Sequence, residues 1–187
     1  MNDFDFLSYA EQLACQLKAV GHSDNNRRFF TSFGLEDLVS FSDRLSSLDG
    51  YVMIAVDGYE SESSDNRADA LDASDHYGII ICHNTVADDP STIKAAFSTC
   101  KRLCREVRNR MLLELCPFFR RDTEINGIGP IGDNFYGCLL SITMTDTEGF
   151  AIDQTYWKQE EPAAAPAAEG EDPEEGVTAG ETNQEGD

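Results

Sequence analysis

The residues able to do chemistry are present in this chain, but their spacing favours none of the familiar sites. Gly127-Ile-Gly-Pro-Ile-Gly132 matches G-x-G-x-x-G. A dinucleotide site needs that pattern after a strand and opening a helix, so that phosphate meets helix N-terminal N–H groups. Here the motif follows a helix and leads into a strand, and Pro130 removes an N–H, so it reads as a glycine-rich connection. Cys100 and Cys104 lie one helical turn apart, with His83 upstream. Two thiolates and an imidazole suit zinc, but a structural site takes four ligands, and an apolar helix face accounts for both thiols. Asp65, Asp69, Asp72 and Asp75 crowd an acidic stretch without the alternate spacing and bend glycine of a calcium loop. His22, His76 and His83 stand in no Ser or Cys nucleophile context. No two carboxylates share an apolar setting that would raise a pKa for acid catalysis. The expectation is a protein that is not an enzyme, with no catalytic residue, cofactor or metal.

What remains is charge. Eight of the 14 Lys and Arg residues fall between Lys94 and Arg121, in a chain with a formal net charge of −21. At about 100° per residue, Lys94, Lys101, Arg105 and Arg108 share one flank of a helix. The bland reading is a solvated face pairing with the protein's own acids. Exposed local pairs contribute only about 0.2–1 kcal/mol each, however, and a docking surface explains the segregation more economically. The counterpart is the acidic stretch 58–75, with Glu60, Glu62, Asp65 and Asp69, on the same chain or on a neighbour's copy. In a head-to-tail ring each subunit offers its basic flank to the next subunit's acidic edge, a heterologous contact that can close.

The elements that must position these groups follow from periodicity. Phe6, Leu7, Ala10, Leu13, Ala14, Leu17 and Val20 predict a helix over about 4–20, closed by Gly21. The polar stretch HSDNNRRFFTSFG reads as a loop that pins Phe29, Phe30 and Phe33 down. A short helix is expected over about 35–45. Tyr51–Val56 and Tyr77–Cys82 are apolar runs that predict two buried strands; paired antiparallel, they leave 58–75 as a long protruding hairpin loop. After Asp88-Asp89-Pro90-Ser91, the stripe Ile93, Phe97, Cys100, Cys104, Val107, Met111 predicts a long amphipathic helix ending before Pro117. FYGCLLSITMTD and GFAIDQTYW predict two more strands around a Thr147–Gly149 turn. The fold class is α+β, with helices on one largely antiparallel sheet in the order α-(α)-β-β-α-β-β.

Composition bounds the rest. A chain of 187 residues has room for one sizeable core, expected over about 1–157. The segment 158–187 carries ten acidic residues, one Lys and no aromatic, too little apolar surface to offset the entropy of ordering, so it is expected to be a disordered acidic tail. The body stays acidic, which disfavours anionic membranes and sequence-specific nucleic-acid binding. The N-terminus carries acids where a secretory signal has Lys or Arg, and no run approaches the roughly 18 apolar residues that span a bilayer. The protein is expected to be soluble and made in a reducing cytoplasm. Cys15, Cys82, Cys100, Cys104, Cys116 and Cys138 contain no CxxC pair and read as reduced core residues.

The order of an N-terminal helix, two strands with a wide loop, a long amphipathic helix and a closing pair resembles bacteriophage and prophage tail-completion or tail-terminator proteins. The local echoes are YGIIICHNTVADDPSTIKAAFSTCKRLCREVRNRML and DNFYGCLLSITMTD, over about 50–157. The resemblance implies a virion structural protein made in the bacterial cytoplasm. It implies a homo-oligomeric ring, often a hexamer, at the tail–head junction, touching tail tube and head connector. The alternative is a small acidic adaptor binding a basic protein partner through its 58–75 loop and C-terminal tail.

Overall fold

A computed structural model describes residues 4–149 and 151–158, excluding the side chains of Val39 and Ser40. The chain divides into two units, Met1–Phe150 and Ala151–Asp187. The acidic-tail expectation falls on 158–187, which apart from Lys158 lies outside the described residues. The first unit is α+β: α1 (Phe6–Gln16), β1 (Phe29–Ser32), a 3₁₀ segment (Glu36–Phe41) leading into a single-turn α2 (Ser42–Leu45), β2 (Tyr51–Asp65), β3 (Ala70–Asn84), α3 (Pro90–Glu114), β4 (Glu124–Ile131) and β5 (Phe135–Gly149).

The five strands form one sheet in the order β1-β2-β3-β5-β4. Only β1 and β2 run parallel; the other three pairs are antiparallel. β3 lies at the centre, and Ile79, Ile80, Ile81 and Cys82 are all fully buried. Alternation along the strand therefore feeds two cores. Ile79 and Ile81 pack with Met53, Leu140 and Ile142 under α1 and α3, through Phe6, Ala10, Leu13, Cys100, Cys104, Val107 and Met111. Ile80 and Cys82 face the other way, with Ile54, Phe30 and Phe135, beneath Leu38, Phe41 and Leu45 of the 3₁₀–α2 segment.

The helices begin where their caps place them. Asp5 accepts from the Ser8 N–H at 2.9 Å at the start of α1. Asp89 accepts from the Ser91 N–H at 2.9 Å and from its hydroxyl at 2.6 Å, with Pro90 in the first turn of α3. A tie joins the two helices: the Tyr9 hydroxyl donates to Glu114 at 2.7 Å, and Arg110 pairs with the same carboxylate.

Four expectations need correction. The acidic stretch 58–75 is no loose loop. β2 and β3 pair on to Asp65 and Leu71, because β5 runs beside β3 as far as Gly149 and supplies its hydrogen bonds. Phe29–Ser32 is a strand and not a loop, paired with Met53–Val56. The glycine-rich motif lies largely within β4, an edge strand beside β5. Among the described residues of GFAIDQTYW there is no second closing strand: β5 continues through Thr147–Gly149, and residues 154–156 form a 3₁₀ turn capped by Asp153, which accepts from the Thr155 N–H at 2.9 Å.

Gly137 marks the tightest approach between β5 and β3. A Cβ there would lie 2.0 Å from the Ile81 carbonyl oxygen and 2.5 Å from the Cys82 Cα, backbone atoms that no rotamer change moves aside. Gly137→Ala is expected to destabilise the fold by about 3 kcal/mol, read as a lower denaturant midpoint. The Ser91 hydroxyl and N–H hold the Asp89 carboxyl below its ordinary value. Its contribution is therefore present above that ordinary value and lost as pH falls through the lowered one. Asp89→Asn keeps an acceptor and removes the charge. Its thermal midpoint should fall less than wild type between about pH 6 and pH 3.

Candidate interface

The four basic residues lie on one flank of α3. Lys94, Lys101 and Arg105 are exposed and Arg108 is half-buried. That flank is turned toward edge strand β4. Phe97, on the same side of the helix as Lys101, lies against Gly127 of β4 and meets the Tyr136 ring at 6.0 Å. The opposite side, with Arg110 and Glu114, is tied to α1. The ion pairs of the described residues are His22–Glu11, His76–Glu62 and Arg110–Glu114, so the four flank cations take part in none of them. Among the described residues the Arg108 guanidinium donates only to neighbouring Asn109, at 2.9 and 3.3 Å. Among the described residues no ion pair ties these cations to the chain's own acids.

Glu60, Glu62 and Asp65 lie on the outer half of β2, and Asp69 in the turn between Asp65 and Ala70; all four are exposed. β1 pairs with β2 only from Met53 to Val56. Beyond it, β2 is bonded to β3 alone, and the outer side of residues 60–65 carries no strand. The register shifts between Asp57 and Glu60, a bulge that ends the region covered by β1. Glu60 and Arg108 line one groove, but among the described residues no ion pair joins the acids to the cations. They stand at opposite edges of the sheet, with β3 and β5 between them.

The second face of the sheet is only half covered. Past the 3₁₀–α2 segment, β3 and β5 present a ladder of polar pairs: His76 Nδ1 with the Thr143 hydroxyl at 3.1 Å, Ser74 with Thr145 at 3.3 Å, and the Thr147 hydroxyl donating to Asp72 at 3.3 Å. A groove of about 810 Å³ opens there over Gly78, Leu139 and Ser141, with Leu35 and Glu60 toward one edge and Arg121 toward the other.

The residues weighed for chemistry are dispersed. His22 is engaged by Glu11 at 3.2 Å, and the Arg28 N–H donates to its other ring nitrogen at 3.1 Å. His83 lies against Tyr51, ring centroids 4.4 Å apart, and bonds to the Asn84 carbonyl. Cys82, Cys100, Cys104 and Cys138 are buried, while Cys15 and Cys116 are exposed. Burial pushes the Cys100 thiol up to about 12 and holds those of Cys82 and Cys104 far above the ordinary range, which makes them poor nucleophiles. Among the described residues no group of three His, Cys, Asp or Glu side chains is placed to hold a metal ion, and no helix is long and apolar enough to cross a membrane.

Sequence reasoning missed an aromatic pair. Phe33, expected to be pinned down, is 58% exposed and stacks on Tyr59, itself 76% exposed. The available signal was Gly58-Tyr59, which interrupts the alternation of β2 at the bulge. Compared with known proteins, the chain matches no family model and no curated sequence.

A thiol-specific colorimetric reagent should modify two of the six cysteines, Cys15 and Cys116, rapidly in the native protein. The other four should react only as the protein unfolds. Fast reaction at Cys100 or Cys104 would show that these thiols are accessible and activated.

Proposed function

We propose that this chain is a structural assembly protein that joins copies of itself edge to edge, head to tail. One observation carries the reading: an acidic outer stretch of β2 at one edge of the sheet and a basic flank of α3 beside the other. Residues 60–65 of β2, paired with β3 on one side, form an acidic edge whose outer side carries no strand among the described residues. β4 forms the other edge, bordered by Lys94, Lys101, Arg105 and Arg108. A second copy offered to either edge meets the complementary one, and each joining leaves the same pair of edges free. That is a heterologous contact, which closes into a ring if the rotation per copy permits. Opposite charges speed encounter and reject like-with-like pairing more than they add affinity. Backbone hydrogen bonds between two edge strands would supply the directional part of the contact.

The resemblance in element order to phage tail-completion proteins supplies the proposed setting, a ring at the tail–head junction of a virion. The acidic edge on its own fits a second reading, an adaptor that takes a basic segment of another protein. The adaptor reading gives the basic flank no task.

The decisive experiment is a charge swap. Glu60→Lys/Glu62→Lys has two basic edges, and Lys101→Glu/Arg105→Glu has two acidic ones. Each variant alone should stay small by light scattering, while the wild type forms a discrete larger species that weakens as salt rises. Mixing the two variants should restore the large species, because every edge then finds an opposite. An undiminished mass for either variant alone would refute the edges. A wild type that remains monomeric and binds a polybasic peptide through Glu60 and Glu62 would favour the adaptor.

A further inference from the structure

Charged pairs at a solvated edge contribute little affinity each, so an assembly built on these edges needs an anchor. The exposed Phe33–Tyr59 pair stands at the acidic edge, where β1 stops and β2 loses its cover. Its geometry is costly. Tyr59 has φ +52, a left-handed backbone that bulky residues rarely adopt. The strained turn is held from below by Asp57, 8% exposed, whose carboxylate accepts from the Tyr59 N–H at 2.9 Å. Phe33 is turned outward by a matching device: the Ser32 hydroxyl donates to the Gly34 carbonyl at 2.7 Å, and Gly34 has φ +84. The two rings end up nearly parallel, 11° apart with centroids at 5.9 Å. Strain kept at an exposed site is a mark of function, since relieving it would stabilise the fold.

The surroundings define what the platform takes. The Glu36 carboxylate reaches to within 2.8 Å of where a Gly34 Cβ would be, and the Glu60 carboxylate to within 3.7 Å of the same position at Gly58. One carboxylate therefore lies by the residue that follows Phe33 and another by the residue that precedes Tyr59, acidic surroundings that suit a planar cation on an aromatic face. The protein already builds such pairs elsewhere: Arg27 lies 5.4 Å from the centroid of Phe30, and Arg44 lies 5.0 Å from that of Phe41. Phe33 and Tyr59 have no such partner among the described residues.

We infer that the Phe33–Tyr59 platform, with Glu36 and Glu60 at its sides, seats the Arg105 guanidinium of a neighbouring copy. Arg105 is the occupant because it is exposed, has no ion pair among the described residues, and is an arginine between Lys101 and Arg108, the latter half-buried and bonded to Asn109. The inference rests on the edge-to-edge reading and names the contact that gives it affinity.

The test uses full-length protein and the dissociation constant of self-association. Tyr59→Gly removes the ring and accepts a positive φ without strain, so its thermal midpoint should be at or above wild type while association weakens on the order of tenfold. Arg105→Lys should weaken association similarly, since an ammonium is compact and strongly hydrated. The double variant should lose no more than about threefold beyond either alone. Unchanged association in Tyr59→Gly, with Glu60→Lys/Glu62→Lys still disrupted, would overturn the seat and leave the edges standing. A loss in Tyr59→Gly with none in Arg105→Lys would overturn the choice of Arg105. A wild type that never self-associates would overturn both.

Discussion

Burial of one strand from both sides organises this molecule. Ile79 through Cys82 of β3 lose all contact with water, and because side chains alternate, the strand cannot satisfy that burial with one layer. Two layers are needed. α1 and α3 supply the first, with enough apolar length to cover β2, β3 and β5. The second is smaller, a 3₁₀ segment and a single helical turn whose Leu38, Phe41 and Leu45 fill the space over Ile80 and Cys82. Each buried residue of this size contributes about 1.5–3 kcal/mol. The four consecutive residues of β3 therefore fix the position of both layers at once.

The unequal layers explain where the candidate interface lies. Beyond the reach of the 3₁₀–α2 segment, the second face of the outer halves of β2, β3 and β5 has no apolar cover, and its residues change to Ser, Thr, His, Asp and Glu. These strands persist because they bond to one another, three abreast, without a core beneath the second face. β1 is only four residues long, so the outer half of β2 is left open. On the far side, β4 stops the sheet, and α3 lies across β5 with its basic flank along that edge. Open edges are ordinarily blunted in monomeric proteins by charge, proline or bulges. Here the bulge at Asp57–Glu60 and Pro130 of β4 are both present, while the acids of β2 and the cations of α3 lie toward opposite edges.

The readable parts of the sequence were those with an apolar period. α1 and α3 were visible from their stripes, and the inner halves of β2 and β3 from YVMIAV and YGIIIC. The outer halves, DGYESESSD and ALDASDH, have no apolar face to read, since their order comes from neighbouring strands. Phe29–Ser32 was hidden by polar flanks, and β4 by glycines that disfavour strands until β5 offers an edge. The end of β5 was misread because Thr147–Glu148–Gly149 has turn composition, while pairing with Asp72, Leu71 and Ala70 keeps it extended. The charged candidates were legible one by one from the helical wheel and the acid count. Their placement at opposite edges was not, because it depends on a strand order that no local pattern encodes. Phe33 and Tyr59 are far apart in sequence and meet only through the β1–β2 pairing.

Both long helices lie on the same face of the sheet, and this has a geometric outcome for any product made by extending that sheet. Every added copy would carry its helices to one side and its hydroxyl-and-carboxylate ladder to the other. The product would have two chemically distinct surfaces, one helical and one β, without either being specified by a further contact. Until it closed, such an array would also have two different ends, one acidic edge and one bordered by the basic flank.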